Sequence, residues 1–234
     1  MKIIGHRGIP SYSPENSLIS LDYLKKFKYK WIETDVILTK DNIPIIFHDK
    51  KLDRTTNLKG EVKKYTYEDL KMADIGYKFS KKFINEKIPL LEEYINKCNE
   101  LSINIFLELK SYYHTDKILI KKVLDIINKY KNIEIIICSY SRKIIKYLKN
   151  KYEKISLIVD EIPEDYINFV KTNNCYSLNI KYNKNNLENI KECKKNIKTY
   201  CHVINDYEDY EKLKKLNIDG IITDKIEYFI ESYI

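Results

Sequence analysis

The sequence predicts an α/β fold: a single TIM, or (β/α)8, barrel with an insertion after the second strand and its hairpin. Three observations lead there. The chain has 234 residues, enough for one such barrel over 1–234. Short apolar runs alternate with segments of helical spacing almost from end to end, the pattern of a parallel sheet with helices outside it. One pair of apolar runs lies too close together for a parallel connection, which reduces nine candidate strands to eight in the barrel.

The candidate strands are 2–5, 31–38, 45–47, 103–109, 134–138, 155–159, 176–180, 199–204 and 220–222. Ser13-Pro14-Glu15 reads as a helix start, with a capping hydroxyl, a first-turn proline and an early acid. Leu90, Leu91, Tyr94, Ile95, Cys98 and Leu101 recur at helical spacing, as do Tyr207, Tyr210, Leu213 and Leu216. Only residues 39–44 separate Leu38 from Ile45, far short of a parallel crossover, so these runs form an antiparallel hairpin. Pairing Leu38 with Ile43 would set Asp35 opposite Ile46 and Glu33 opposite His48. Residues 50–87 are lysine-rich and poorly periodic, and read as an insertion over one barrel rim, partly helical near 67–72.

Within WIETDVIL, Glu33 and Asp35 fall on one face of a strand that otherwise looks buried. Alternation in INIFLELK puts Asn104, Phe106, Glu108 and Lys110 on one face and aliphatic residues on the other. The aliphatic face suits the helix layer, so Glu108 and Lys110 point into the barrel at the strand's C-terminal end, where sites of such barrels are built. His6 and Arg7 follow the first strand at the same end. Three converging carboxylates repel one another unless a cation or a proton intervenes. Two readings are open: a divalent cation with all-oxygen ligands, or neutralisation by Arg7 and Lys110 alone. Two histidines near the same rim favour the first. A cation beside Arg7 and Lys110 suits a phosphate ester, with the imidazoles dividing acid and base roles. His202 lies near a strand end and either lines the site or sits in the rim, while His114 reads as a surface residue.

These residues resemble the glycerophosphodiester phosphodiesterases. The matching segments are HRG from His6, PEN from Pro14, ETDV from Glu33, TKDNIPIIFHD from Thr39, RTT from Arg54, LLEEY from Leu90, ELK from Glu108 and IDGIITD from Ile218. They occur in the family order over nearly the whole chain. The resemblance implies a TIM barrel with an insertion after the second strand and its hairpin. It implies His6 and His48 as the acid–base pair, and Glu33, Asp35 and Glu108 as ligands of one divalent cation, Mg²⁺ or Ca²⁺, with Mn²⁺ possible. Arg7 and Lys110 match its phosphate contacts, and Glu15 matches a position often near the site, although helix-start stabilisation accounts for it equally well. The implied substrate is a small glycerophosphodiester, cleaved to glycerol 3-phosphate and an alcohol. His202 departs from the usual tryptophan, and Asn42 from a usual turn glycine. A lysophospholipid-cleaving relative, its acyl slot built from aromatic residues at 50–83, and a non-catalytic phosphodiester-binding barrel are the rival readings.

Composition excludes other classes. Net charge is +8, but the lysines are scattered without a basic, aromatic-interleaved stripe, so no nucleic-acid partner is expected. Five cysteines without C-x-x-C spacing argue for reduced thiols. No segment approaches a membrane span, and a cytoplasmic location is expected.

Overall fold

A computed structural model describes residues 1–229; residues 230–234 of the expected domain lie outside them. Nine strands occur among the described residues: β1 (Lys2–His6), β2 (Trp31–Leu38), β3 (Pro44–Ile46), β4 (Asn104–Leu109), β5 (Ile135–Ser139), β6 (Ile155–Val159), β7 (Ser177–Lys181), β8 (Lys198–His202) and β9 (Gly220–Thr223). Eight of them form a parallel sheet in the order β1-β9-β8-β7-β6-β5-β4-β2, and β1–β2 pairing closes it into a barrel. The remaining strand, β3, lies antiparallel on β2. The helices are α1 (Leu18–Lys26), α2 (Tyr67–Leu70), α3 (Leu91–Leu101), α4 (Asp116–Ile127), α5 (Arg142–Leu148), α6 (Tyr166–Thr172), α7 (Leu187–Asn196) and α8 (Tyr207–Lys215). All but α2 follow barrel strands or the insertion, giving the expected helix layer.

Strand alternation divides the core in two. Outward residues such as Ile105, Leu107 and Leu109 of β4 pack with Leu91, Ile95 and Val123 of the helices. Inward residues Ile4, Trp31, Phe106, Ile136, Ile158, Tyr200 and Ile222 fill the barrel. Phe106 meets Tyr200 edge-on at 4.8 Å between ring centroids and Trp31 at 5.5 Å. Trp31 opens β2, so this aromatic plug lies toward the N-terminal end and leaves the C-terminal end for polar groups. The insertion has its own small core, in which Leu52, Val62, Leu70 and Ile75 pack on Ile37, Ile45 and Phe47 of the hairpin. Its one α-helical turn, α2, is held by a capping box between Thr66 and Asp69.

Two expectations are corrected. The hairpin register is one residue away from the expected pairing: Leu38 pairs with Pro44, Ile37 with Ile45 and Val36 with Ile46. The cause is the turn. Asn42 N–H donates to Thr39 O and Thr39 N–H to Ile43 O, both at 3.1 Å, and Asn42 adopts φ 59°. A left-handed residue after the turn adds one residue to the second arm, the geometry of a bulged hairpin. His48 therefore does not face Glu33 across the ladder. The second correction concerns Ser13-Pro14-Glu15, which does not start a helix. α1 begins at Leu18 behind the cap Ser17, because Asn16 adopts φ 55° and breaks any earlier helical turn. Most other strand ends fall within a residue of expectation; β8 stops at His202, two residues earlier than the expected 204.

Candidate active site

Register builds the site. His6 of β1 lies level with Glu33 of β2, and Asp35 lies level with Glu108 of β4. Glu33, Asp35 and Glu108 are 4%, 1% and 7% exposed, and one oxygen from each lies within 4.8 Å of the others. After β1 the chain turns sharply, with Arg7 at φ 53° and Gly8 at φ 109°. A Cβ on Gly8 would come within 2.6 Å of Ser20, so glycine is required there. The turn aims the Arg7 backbone N–H at Glu33 Oε2, 3.1 Å away. On the other arm, Phe47 N–H donates to Asp35 O at the end of the ladder, and Tyr112 O–H donates to His48 O at 3.0 Å. These bonds bring His48 back over the barrel mouth.

Both cations enter the acid cluster. Lys110 Nζ lies 2.7 Å from Glu108 and 2.9 Å from Asp35, and Arg7 Nε lies 3.4 Å from Asp35. Glu15 pairs with Arg7 at 3.2 Å and accepts a forked pair from Arg54 at 2.6 and 2.8 Å. Its place in this network replaces the helix-start account of it. Both histidines are oriented by a carboxylate: His6 Nδ1 lies 2.7 Å from Asp224 and His48 Nδ1 2.6 Å from Asp49. With the Nδ1 atoms so occupied, the Nε2 atoms are left for chemistry, and His6 Nε2 lies 3.9 Å from Glu33. Arg54 also donates two bonds to Asp49, tying the insertion to the His48 arm.

The carboxylates are not equivalent electrically. Burial, with Asp35 and Glu108 adding like charge, pushes Glu33 well above the ordinary range. Burial likewise lifts Glu108, to about 7, with Lys110 opposing. Burial acts on Asp35 in the same sense, yet Lys110, Arg7 and the Asn16 amide outweigh it and hold Asp35 far below the usual range. His48 is lowered, chiefly by burial and also by Lys110 and Arg7 against the opposing charge of Asp35, which favours the neutral imidazole.

The donor set fits a hard divalent cation. Three buried carboxylates converge, burial raises the proton affinity of two of them, and Asp35 Oδ1 lies 2.9 Å from the Lys110 ammonium without a hydrogen bond to it. The two readings of the sequence are thus combined, with Arg7 and Lys110 beside an acid cluster that their charges only partly offset.

A cleft of about 410 Å³, within the range of small-molecule sites, joins His6, Arg7, Glu33, His48, Glu108 and Lys110 to a far wall containing Tyr140, Asp160 and His202. His202 lines this cleft, with Nε2 3.1 Å from Tyr140 Oη. His114 is exposed, as expected. Asn16, Asp49, Arg54 and Asp224 were not singled out from sequence. All four end or open quoted segments, PEN, TKDNIPIIFHD, RTT and IDGIITD, and for Asp224 a charged residue just past a barrel strand was the available signal.

The comparisons with known proteins agree on one family. The model of the Glycerophosphoryl diester phosphodiesterase family matches residues 6–228. A glycerophosphodiester phosphodiesterase of Caldanaerobacter subterraneus subsp. tengcongensis is 32% identical over 232 residues, covering 97% of this chain and 96% of that protein. Among solved structures, an Oleispira antarctica phosphodiesterase in complex with the product sn-glycerol-3-phosphate is 27% identical with a TM-score of 0.92, covering 99% of this chain and 97% of that one. A glycerophosphodiester phosphodiesterase from Thermotoga maritima is also 27% identical, with a TM-score of 0.79, covering 98% of this chain and 96% of that one.

Proposed function

Because the chain belongs to the glycerophosphoryl diester phosphodiesterase family and is a phosphoric diester hydrolase, we propose that it cleaves small glycerophosphodiesters to glycerol 3-phosphate and an alcohol by paired-histidine catalysis. The single observation that carries the mechanism is the pair of His–Asp couples, His6–Asp224 and His48–Asp49, beside one buried carboxylate cluster. Glu33, Asp35 and Glu108 would hold the divalent cation, Mg²⁺ or Ca²⁺. When bound it supplies charge stabilisation at phosphoryl oxygens and orients a glycerol hydroxyl. Arg7 and Lys110 bind the phosphoryl group and offset charge that develops there.

His48, in its neutral form, takes the proton of the glycerol hydroxyl adjacent to the ester as its oxygen attacks phosphorus. The bond from phosphorus to the leaving alcohol breaks, and that alkoxide receives a proton from His6. Water then opens the cyclic phosphate: His6 takes its proton, and His48 returns one to the ring oxygen that departs. Asp49 and Asp224 fix the ring orientations and stabilise each imidazolium in turn.

A lysophospholipid substrate needs an apolar slot. None of the tyrosines or phenylalanines at 50–83 lines the cleft among the described residues. Tyr65 and Tyr67 serve the insertion's core instead, and Phe83 packs on Tyr23 and Phe79. A non-catalytic binding barrel has no use for two oriented histidines. All five cysteines are free, which supports a reducing, cytoplasmic setting, and no helix among the described residues is long and apolar enough to cross a membrane.

The test compares a glycerophosphodiester with the lysophospholipid bearing the same head group, following glycerol 3-phosphate from the first and free head group from both. Faster turnover of the diester is expected. Preference for the lipid would overturn the substrate assignment, and absence of any turnover would overturn the enzymatic one.

A further inference from the structure

The cleft has one wall that the proposed chemistry does not use. It is formed by the ends of β5 to β8 and faces the carboxylate cluster across the barrel mouth. We propose that this wall selects a hydroxyl-rich, uncharged leaving alcohol, a polyol, over a quaternary ammonium alcohol, with His202 and Tyr140 as specificity-determining residues. The inference rests on the phosphodiesterase reading and names the leaving-group class of that same site.

Position comes first. Glu33, Asp35, Glu108, Arg7 and Lys110 occupy one side of the cleft, so the phosphoryl group and the attacking glycerol hydroxyl are placed there. His202 and His6 both line this cleft, and His6 is the proposed proton donor to the leaving alcohol. The departing group therefore extends along the His202 wall, within the same cavity.

Chemistry comes second. The exposed groups of this wall are polar and, apart from the 3.1 Å contact between Tyr140 Oη and His202 Nε2, loosely engaged. Asp160 Oδ1 is 3.5 Å from Lys181 Nζ and 3.5 Å from Tyr140 Oη, contacts long enough to be exchanged for bonds to a ligand. Tyr140 is 45% exposed, and its hydroxyl both donates and accepts. Burial holds His202 at about 4, so at neutral pH its ring offers one donor and one acceptor and no charge. One of those ring atoms, His202 Nδ1, and the amide oxygen of Asn179 are buried without a partner among the described residues, so hydrogen-bonding capacity remains that the protein itself leaves unfilled.

A quaternary ammonium group is met by faces of aromatic rings and by uncompensated negative charge. Here Lys181 offsets Asp160. The Tyr182 hydroxyl is tied to Asp209 of α8, and its ring packs against the outer core. Tyr140 stands at 87° to the His202 ring, and the chain's single tryptophan, Trp31, lies in the plug at the opposite end of the barrel. Tyr140 and the anchored Tyr182, the two tyrosines that line the cleft among the described residues, do not make a cage.

The experiment measures kcat/KM by glycerol 3-phosphate release from glycerophosphoglycerol, glycerophosphoinositol and glycerophosphocholine. The full-length protein is compared with its His202→Phe and Tyr140→Phe variants. The wild type is expected to prefer the two polyol diesters over the choline diester by roughly tenfold, the worth of one or two neutral hydrogen bonds. Each variant is expected to narrow that ratio at least threefold. Tyr140→Phe keeps the test open if the more buried His202→Phe fails to fold. Equal or better use of the choline diester by the wild type, or an unchanged ratio in a folded variant, would overturn the inference. Absence of glycerol 3-phosphate from all three diesters would instead overturn the phosphodiesterase reading beneath it.

Discussion

The two sides of the barrel mouth are built differently. On the side of β1, β2 and β4, nearly every charged group is engaged: His48 to Asp49, Asp49 to Arg54, Arg54 to Glu15, Glu15 to Arg7 and Arg7 to Asp35. On the side of β5 to β8, the contacts of Asp160 within the cleft are long and some buried polar atoms have no partner. The first side is over-determined and the second is permissive. That contrast is what a hydrolase with one fixed chemistry and a variable leaving group requires, because preorganised charge accelerates the step while the leaving group's wall only selects among substrates.

The contrast breaks most sharply at the histidines. His6→Ala and His48→Ala are each expected to lower kcat by roughly 10²–10⁴-fold while the melting temperature stays within a few degrees. Near-wild-type rates in both would refute the acid–base assignment. Next in size is Glu108→Gln, expected to weaken cation affinity by about tenfold or more in calorimetric titration of chelated protein. An unchanged affinity would remove Glu108 from the ligand set.

A pH measurement sharpens the same point. The folded protein binds the Glu108 proton more tightly than the unfolded chain does, since the value rises from 4.5 to about 7. The resulting stability is full below pH 4.5 and is lost as pH rises through about 7. Asp35 is depressed, so its contribution has the opposite sign and fades only under strong acid, outside this window. In chelated protein, denaturant melts from pH 5 to pH 8 should therefore decline by roughly 2–3 kcal/mol on account of Glu108, with Glu33 adding a loss of the same sign, and Glu108→Gln should make the decline shallower. Parallel pH profiles for the two proteins would contradict the buried-proton account.

Smaller effects are expected away from the reacting groups. Arg54→Ala releases both Glu15 and Asp49, and kcat/KM should fall by about tenfold, with Arg54→Lys recovering only part because an ammonium cannot fork two carboxylates. On the permissive side, Arg142 forks Asp165 at the surface. Arg142→Ala should change stability by no more than about 1 kcal/mol and leave the kinetics as they are.

Much of this was legible in the sequence because it depends on local period. Alternation put Glu33 with Asp35 and Glu108 with Lys110, and the close spacing of Leu38 and Ile45 forced a hairpin. What escaped depended on single backbone angles. Asn42 in the left-handed region moved the hairpin register, and Asn16 in the same region delayed α1 so that Glu15 joined the ion network. Asparagine tolerates that region but does not announce it. Asp49, Arg54 and Asp224 were visible within motifs, yet their partners lie 1, 39 and 218 positions away, and only closure of the barrel brings the distant ones together.

One measurement reaches the centre of the account. Glycerol 3-phosphate release from a glycerophosphodiester is followed in protein stripped with chelator and again after Mg²⁺ or Ca²⁺ is added back. The expected result is loss of turnover on stripping and recovery with one bound cation per chain, a recovery that Glu108→Gln blunts. Full activity in the stripped protein would contradict the proposal that Glu33, Asp35 and Glu108 close around a cation that the chemistry needs.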